Sequence, residues 1–136
     1  MIWLNPRRVT FDGTELGHVR TVVLDRKAER VVVEWSDTGS HVAFADVPEQ
    51  RVTIALTRTV VEEGAGEIRP GDAGMLSFRT SPSASDAQVR EIEAGVVVTA
   101  VEHEVSAKTG AMQRISFIAV SDDGESDPVV ESVVGA

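Results

Sequence analysis

Apolar and polar residues alternate along residues 51–61, and this alternation restricts the fold more than any other feature of the sequence. The even-numbered positions from 52 to 60 are apolar except for Arg58, whereas the odd-numbered positions carry mainly threonine. Successive side chains of a β-strand point to opposite faces of the sheet. The segment therefore predicts a strand with one buried face.

The composition agrees with a β-rich chain. Valine accounts for 23 of the 136 residues, and β-branched residues favour strands. The length is typical of one domain, so we predict a single domain over residues 1–136, with residues 1–7 and 122–136 as candidate terminal arms. Cysteine is absent, which excludes a disulfide framework. The expected fold is an antiparallel β-sandwich or barrel with at most one short helix.

Further strands are predicted wherever β-branched runs lie between turn residues. They cover residues 8–11, 17–25, 31–35, 41–44, 75–80, 96–106 and 112–121, and the charged segment 25–30 is predicted to be a turn. Residues 85–94 have two interpretations. Ser85 and Gln88 have capping-box spacing and favour a short helix, but the segment also fits an extension of the strand that follows it.

No catalytic, cofactor-binding or metal-binding constellation is visible. His18, His41 and His103 lack the spacing of a zinc-binding helix, and no serine lies in a nucleophile elbow. The acidic segment 122–127 lacks the ligand spacing of an EF-hand. We therefore expect no cofactor and no enzymatic activity. The N-terminus does not resemble a signal peptide and no apolar run is long enough for a membrane span, which predicts a cytoplasmic protein without membrane contact.

The negative charge is unevenly distributed. The chain has a formal net charge of −9; residues 1–60 hold eight basic and eight acidic side chains, and residues 61–136 hold five and fourteen. An acidic surface would solubilise a monomer. In an assembly, it would repel nucleic acid regardless of sequence.

The order of elements resembles that of phage tail tube proteins, including the related tubes of type VI secretion systems. The resemblance covers residues 9–128 and is carried by the hairpin Phe11-Asp12-Gly13, the long strand at 51–61, and the late strands at 97–105 and 115–121. It implies a major tail tube subunit of a virion, assembled in the host bacterial cytoplasm into stacked hexameric rings. Genomic DNA would pass through the lumen without specific binding, and sheath, baseplate and tail terminator proteins would be neighbours. The alternative is a capsid decoration protein, or a head–tail connector or tail completion protein.

Within that resemblance, two sets of residues are candidates for assembly roles. The first set is expected to face the lumen and consists of Arg51, Thr53, Thr57, Thr59, Glu102 and Glu104. The second set lies in the glycine-rich loop 62–74, which suits a contact between rings, and consists of Glu62, Glu63, Glu67, Arg69 and Asp72.

Overall fold

The structure, a computed structural model, describes residues 2–3, 7–60, 68–80, 89–107 and 110–133. Within this part of the chain all regular structure is β-strand, which confirms the prediction of a mainly antiparallel β fold. The strands are β1 (Ile2–Trp3), β2 (Arg7–Phe11), β3 (Thr14–Glu15), β4 (Val19–Trp35), β5 (Val42–Thr59), β6 (Ala73–Thr80), β7 (Arg90–Ser106), β8 (Gly110–Ala119) and β9 (Val129–Val133).

The strands form one continuous antiparallel sheet in the order β1-β4-β5-β8-β7-β6-β2-β3, and β9 pairs with β7. β8 covers one edge of β7 from Val96 onwards, and β9 covers the same edge from Arg90 to Ala94. The sheet does not close into a barrel within the described residues.

The sheet curls until its two halves face each other. Phe11 on β2 and Phe117 on β8 are three strands apart, which would separate them by about 14 Å in a flat sheet. Their ring centroids lie only 5.4 Å apart. The curl creates the core, because the apolar faces of both halves are buried against each other.

The curl divides the molecule into two layers that share β7. The register of β7 against β8 shifts between Val98 and Ala100, and such irregularities commonly mark strands that pass from one layer to another. We call β4, β5, β8 and residues 98–106 of β7 the first layer. The second layer consists of β9, residues 90–97 of β7, β6, β2 and β3. In each layer, the outer face is the side turned away from the core.

The core is made of apolar side chains from both layers. Its members are Val9, Phe11, Leu16, Val22, Leu24, Val52, Ile54, Leu56, Leu76, Phe78, Ile92, Ala94, Val96, Val98, Ile115 and Phe117. The predicted alternation along β5 is confirmed, since Val52, Ile54 and Leu56 are buried and the residues between them are not. No core residue comes from positions 26–51.

The turn predicted at residues 25–30 is wrong. These residues lie inside β4 and pair with β5, for example Lys27 with Arg51 and Ala28 with Gln50. The segment lacks the apolar alternation of a buried strand, but opposite charges lie across the two strands. Glu29 forms an ion pair with Arg51, and Arg30 forms one with Glu49. In the ambiguous segment 85–94, the residues from Arg90 onwards form a strand, and residues 85–88 lie outside the described part of the chain.

Candidate assembly interface

The outer face of the first layer brings together five residues predicted to face a lumen. Residues directly opposite each other in an antiparallel pair lie on the same face. The register across β5, β8 and β7 therefore places the five in rows on one face, and two of these rows are Thr57-Arg114-Glu102 and Thr59-Met112-Glu104. Thr53 lies on the same face, two rows away. The neighbouring Ile54 and Leu56 point into the core.

The sixth candidate, Arg51, lies apart from these rows. Its guanidinium donates a hydrogen bond to Glu29 Oε1 over 2.9 Å, and it pairs in register with Lys27. Arg51 therefore continues the face of β5 that carries Thr53, but it lies in the β4–β5 hairpin, beyond the rows that β8 and β7 complete.

The predicted inter-ring loop is only partly described. Glu62, Glu63 and Glu67 lie outside the described residues. Arg69 and Asp72 form a turn in which Arg69 N donates to Asp72 Oδ2 over 2.9 Å and Asp72 N donates to Arg69 O over 3.1 Å. Val98 N donates to Asp72 O over 2.8 Å, so this turn ends the pairing along one edge of β7.

Two edges of the first layer remain largely unpaired within the described residues. β6 pairs with β7 only as far as Val97, which leaves the edge of residues 99–106 open. At the other side of the layer, β1 pairs with β4 only at Val22 and Val23. Unpaired edges present rows of backbone N–H and C=O groups to any adjacent strand.

A two-stranded ribbon projects from the first layer. We define the ribbon as residues 26–51, all of which are exposed. β8 pairs with β5 only from Thr53 to Thr59, so in the ribbon β4 and β5 pair only with each other. From Arg26 to Trp35 the ribbon extends about 30 Å, at about 3.3 Å per residue. Isolated two-stranded ribbons have little stability in water; this one is anchored at its base, because β4 and β5 continue into the first layer.

Between residues 31–35 and 42–45, away from the charged base of the ribbon, one face is apolar. Val31, Val33 and Trp35 alternate along β4, and the register places Ala45 opposite Val33 and Val42 opposite Trp35. We call these five residues the apolar ribbon face. Trp35 is 60% exposed and Val31 is 54% exposed. The opposite face carries Val32, Glu34, Phe44 and Asp46.

Sequence reasoning identified two strands within the ribbon but missed that the ribbon stands alone. The predicted strands at residues 31–35 and 41–44 both lie in it. The charged residues that flank the two predicted strands could have indicated that the flanking segments pair with each other. Complementary charges at residues 25–30 and 46–51 predict cross-strand ion pairs and not a turn.

The base of the ribbon is tied to the turn that connects β8 to β9. The Arg26 guanidinium lies 3.0 Å from Asp127 Oδ2. A groove separates the two segments, lined by Pro48 and Gln50 on the ribbon and by Val120 and Pro128 on the turn.

Asp123 organises this turn. Its carboxylate accepts hydrogen bonds from Ser126 N and Oγ and from Glu125 N, each over 2.8 Å, and from Ser121 Oγ over 2.9 Å. These donors, the Ser126 backbone first among them, hold the pKa of Asp123 well below its usual range. The turn is therefore built around an ionised side chain.

Three polar side chains, Arg58, Gln113 and His103, form a row across the first layer at the boundary of the apolar core. Arg58 is buried, and its Nε donates to Gln113 Oε1 over 2.6 Å. Burial lowers the pKa of Arg58 by desolvation. Because Gln113 Oε1 accepts from Arg58, the amide nitrogen of Gln113 acts as the donor to His103 Nε2, 3.2 Å away.

Among the described residues, no group of three or more His, Cys, Asp or Glu side chains is arranged to hold a metal ion. The described part of the chain contains no helix that is long and apolar enough to cross a membrane. The features that stand out are the threonine-rich face, the open edges and the ribbon, all of which suit protein–protein assembly.

Comparison with solved structures gives a likeness in fold. No family model matches the chain, and no curated protein matches it. A solved structure described as the tail of an empty GTA (gene transfer agent) particle, computed with helical refinement in C6 symmetry, is similar over 89% of this chain and 85% of that chain. The TM-score is 0.51 and the identity is 10%. The chain is thus similar in fold to a protein of that tail.

Proposed function

We propose that this protein is the tail tube subunit of a phage-like particle and forms stacked hexameric rings around a channel. The observation that carries the proposal is the first layer, a four-stranded sheet whose two edges are largely unpaired within the described residues and whose outer face is polar. The C6-symmetric tail to which the fold is similar supports the same arrangement.

Ring closure follows from the two open edges. Residues 99–106 of β7 in one copy would pair with the outer edge of β4 in the next, which would continue the sheet between subunits. Six copies would then contribute about 24 strands to a closed wall. Closed sheets of about 16 to 18 strands already enclose an aqueous channel, so a wall of this size leaves room for nucleic acid.

The outer face of the first layer would line the channel. Thr53, Thr57 and Thr59 present short hydroxyl side chains, and Glu102 and Glu104 add negative charge. Such a surface has no basic patch continuous enough to hold phosphates, because Arg114 is the one cation in the two rows that contain Glu102 and Glu104. The lumen would therefore let DNA pass without specific binding.

Contacts between rings would involve the loop that contains Arg69 and Asp72. Residues 62–67 of that loop carry three glutamates, so a cationic surface on the neighbouring ring would complement this contact. In a particle, sheath, baseplate and tail terminator proteins would meet the outside and the ends of such a tube.

Electron microscopy and light scattering of the purified chain test the proposal. We expect rings or tubes with sixfold symmetry and a scattering mass that increases with concentration. A species that stays monomeric at high concentration in every salt would contradict a tube subunit. A monomer that binds only to a preformed particle would favour a decoration or connector protein instead.

A further inference from the structure

The outer face of the second layer carries an exposed apolar patch. Met75 on β6 pairs with Gly95 on β7, and Val120 N donates to Gly95 O over 2.8 Å on the other side of β7. Met75, Val120 and Val130 are each at least half exposed. Their chain neighbours Leu76, Ala119 and Val129 belong to the core or pack against it, which fixes the three on the outer face. We call Met75, Gly95, Val120 and Val130 the second-layer patch.

The patch has a depression at its centre. A Cβ atom built on Gly95 would find only Val120 O within 4 Å, at 3.6 Å. The missing side chain therefore leaves open space between Met75 and Val120, both of which rise from the sheet on either side. A flat, rigid side chain of a partner would fill this space.

We propose that the apolar ribbon face of one copy docks on the second-layer patch of another copy, with Trp35 seated over Gly95. This inference rests on the proposed function, because it assigns a partner surface to the ribbon of the same assembly. Both surfaces are apolar, both are exposed in the single chain, and Trp35 is the largest side chain of the ribbon.

Charge determines which face of the ribbon makes the contact. Glu93 lies on the same face, directly opposite Val130 and two residues from Gly95 along β7. The opposite face of the ribbon, with Glu34 and Asp46, would bring like charges together. The apolar ribbon face carries no charge, so it approaches without repulsion.

The geometry points to a second copy and not to the same chain. Apart from its base, where Arg26 pairs with Asp127, the ribbon is exposed on both faces, and residues 31–45 do not fold back on the body of the same chain. A contact between two different surfaces of identical chains is heterologous, and it propagates from copy to copy into a ring or a stack. The helical C6 tail of similar fold is an assembly in which such a repeating contact is available.

Cysteine cross-linking tests this contact without background, because the natural chain has no cysteine. Trp35→Cys and Val120→Cys variants are mixed, assembled and oxidised. A disulfide requires Cα atoms within about 7 Å. We expect a cross-linked dimer in the mixture and little from either variant alone. A Trp35→Cys variant that cross-links to itself, or equally well to a Val105→Cys variant, would overturn the proposed contact.

Filling the depression gives a second test that does not depend on cysteine. Gly95→Val points its side chain into open space in a strand, so the monomer keeps its melting temperature, while the docked Trp35 is displaced. We expect at least a tenfold loss of long assemblies, with Gly95→Ala much less affected. Rings that form normally with Gly95→Val would overturn this inference alone, whereas a natural chain that never assembles would overturn the proposed function with it.

Discussion

Gly74 occupies a position in β6 where a side chain has no room. A Cβ atom at Gly74 would lie 2.7 Å from the Cβ of Asp12, a residue whose own φ is +51°. A contact of that length forces the backbone apart, and overpacking of this kind costs about 1–3 kcal/mol. We expect Gly74→Ala to lower the free energy of unfolding by that amount in thermal or urea denaturation.

Two further variants separate this clash from a general glycine effect. Gly17→Ala is the matched control, because no heavy atom lies within 4 Å of its added Cβ and its φ is not positive. Asp12→Gly removes the opposing Cβ and suits a positive φ, so it should restore most of the stability of Gly74→Ala. Equal losses for the Gly17 and Gly74 variants would contradict the steric explanation.

The hydrogen bonds of Gln113 carry a second prediction at the residue scale. Gln113→Leu removes the acceptor of the buried Arg58 Nε, and leaving such a group without its acceptor costs about 1–3 kcal/mol. Gln113→Glu retains an acceptor and should be less destabilising when both variants are compared by urea denaturation.

In the natural chain His103 Nε2 accepts from Gln113, so nitrogen NMR should find the proton of neutral His103 on Nδ1. A proton on Nε2 would contradict this direction of the network.

The lowered pKa of Asp123 predicts that the stability of the folded chain depends on pH, and in which direction. Its pKa in the folded chain lies below the unfolded value of about 3.9. The carboxylate therefore adds stability at pH values above about 4, and this contribution is lost as the pH falls from there towards the folded pKa. Asp123→Asn should melt at a lower temperature at pH 7, and the difference from the natural chain should shrink below about pH 4. Asp122→Asn is the control, and an equal difference for that variant would show that Asp123 has no special role.

At the scale of elements, the ribbon adds nothing to the core, and a shortened chain should demonstrate this. Arg26 pairs with Val52, so replacing residues 27–51 by Asn-Gly closes β4 and β5 with a tight hairpin turn. Because the deleted residues are exposed, the unfolding free energy should change by about 0.5 kcal/mol or less. Size-exclusion chromatography should then find a folded monomer that no longer forms tubes. Tubes of normal length from this variant would contradict an assembly role for the ribbon.

The sequence predicts elements well where local pattern and tertiary environment agree. Residues 51–59 of β5 have one buried face, and the alternation of apolar and polar residues in the sequence predicts that face directly. No core packs against the ribbon, so its residues need not alternate between apolar and polar. The sequence of its charged base therefore has the composition of a turn. Pro48 adds to the ambiguity, although it lies in a strand where the register shifts and a missing N–H is tolerated.

At the scale of the whole molecule, the antiparallel β class follows from composition and turn spacing, whereas the curl and the shared β7 do not. Those features depend on a register shift at Val98–Ala100 and on β9 extending the line of β8, both of which are long-range pairings. The second-layer patch was missed for the same reason. Met75, Gly95 and Val120 are far apart in the sequence and meet only through strand order.

The sign of the charge at Glu102 should decide whether an assembled tube holds DNA. Glu102→Lys places a cation beside Arg114 on the outer face of the first layer. Repeated around a ring, these cations would be enclosed by the wall, where like charges reinforce one another. We expect tubes of the Glu102→Lys variant, assembled with short double-stranded DNA, to protect that DNA from nuclease. This protection should decline steeply with salt, because counterions compete for the phosphates.

Glu15→Lys is the control, because it makes the same change in charge on the second layer. Tubes of this variant should leave the DNA open to digestion. Equal protection by both variants, or none by Glu102→Lys in intact tubes, would contradict a lumen lined by this face.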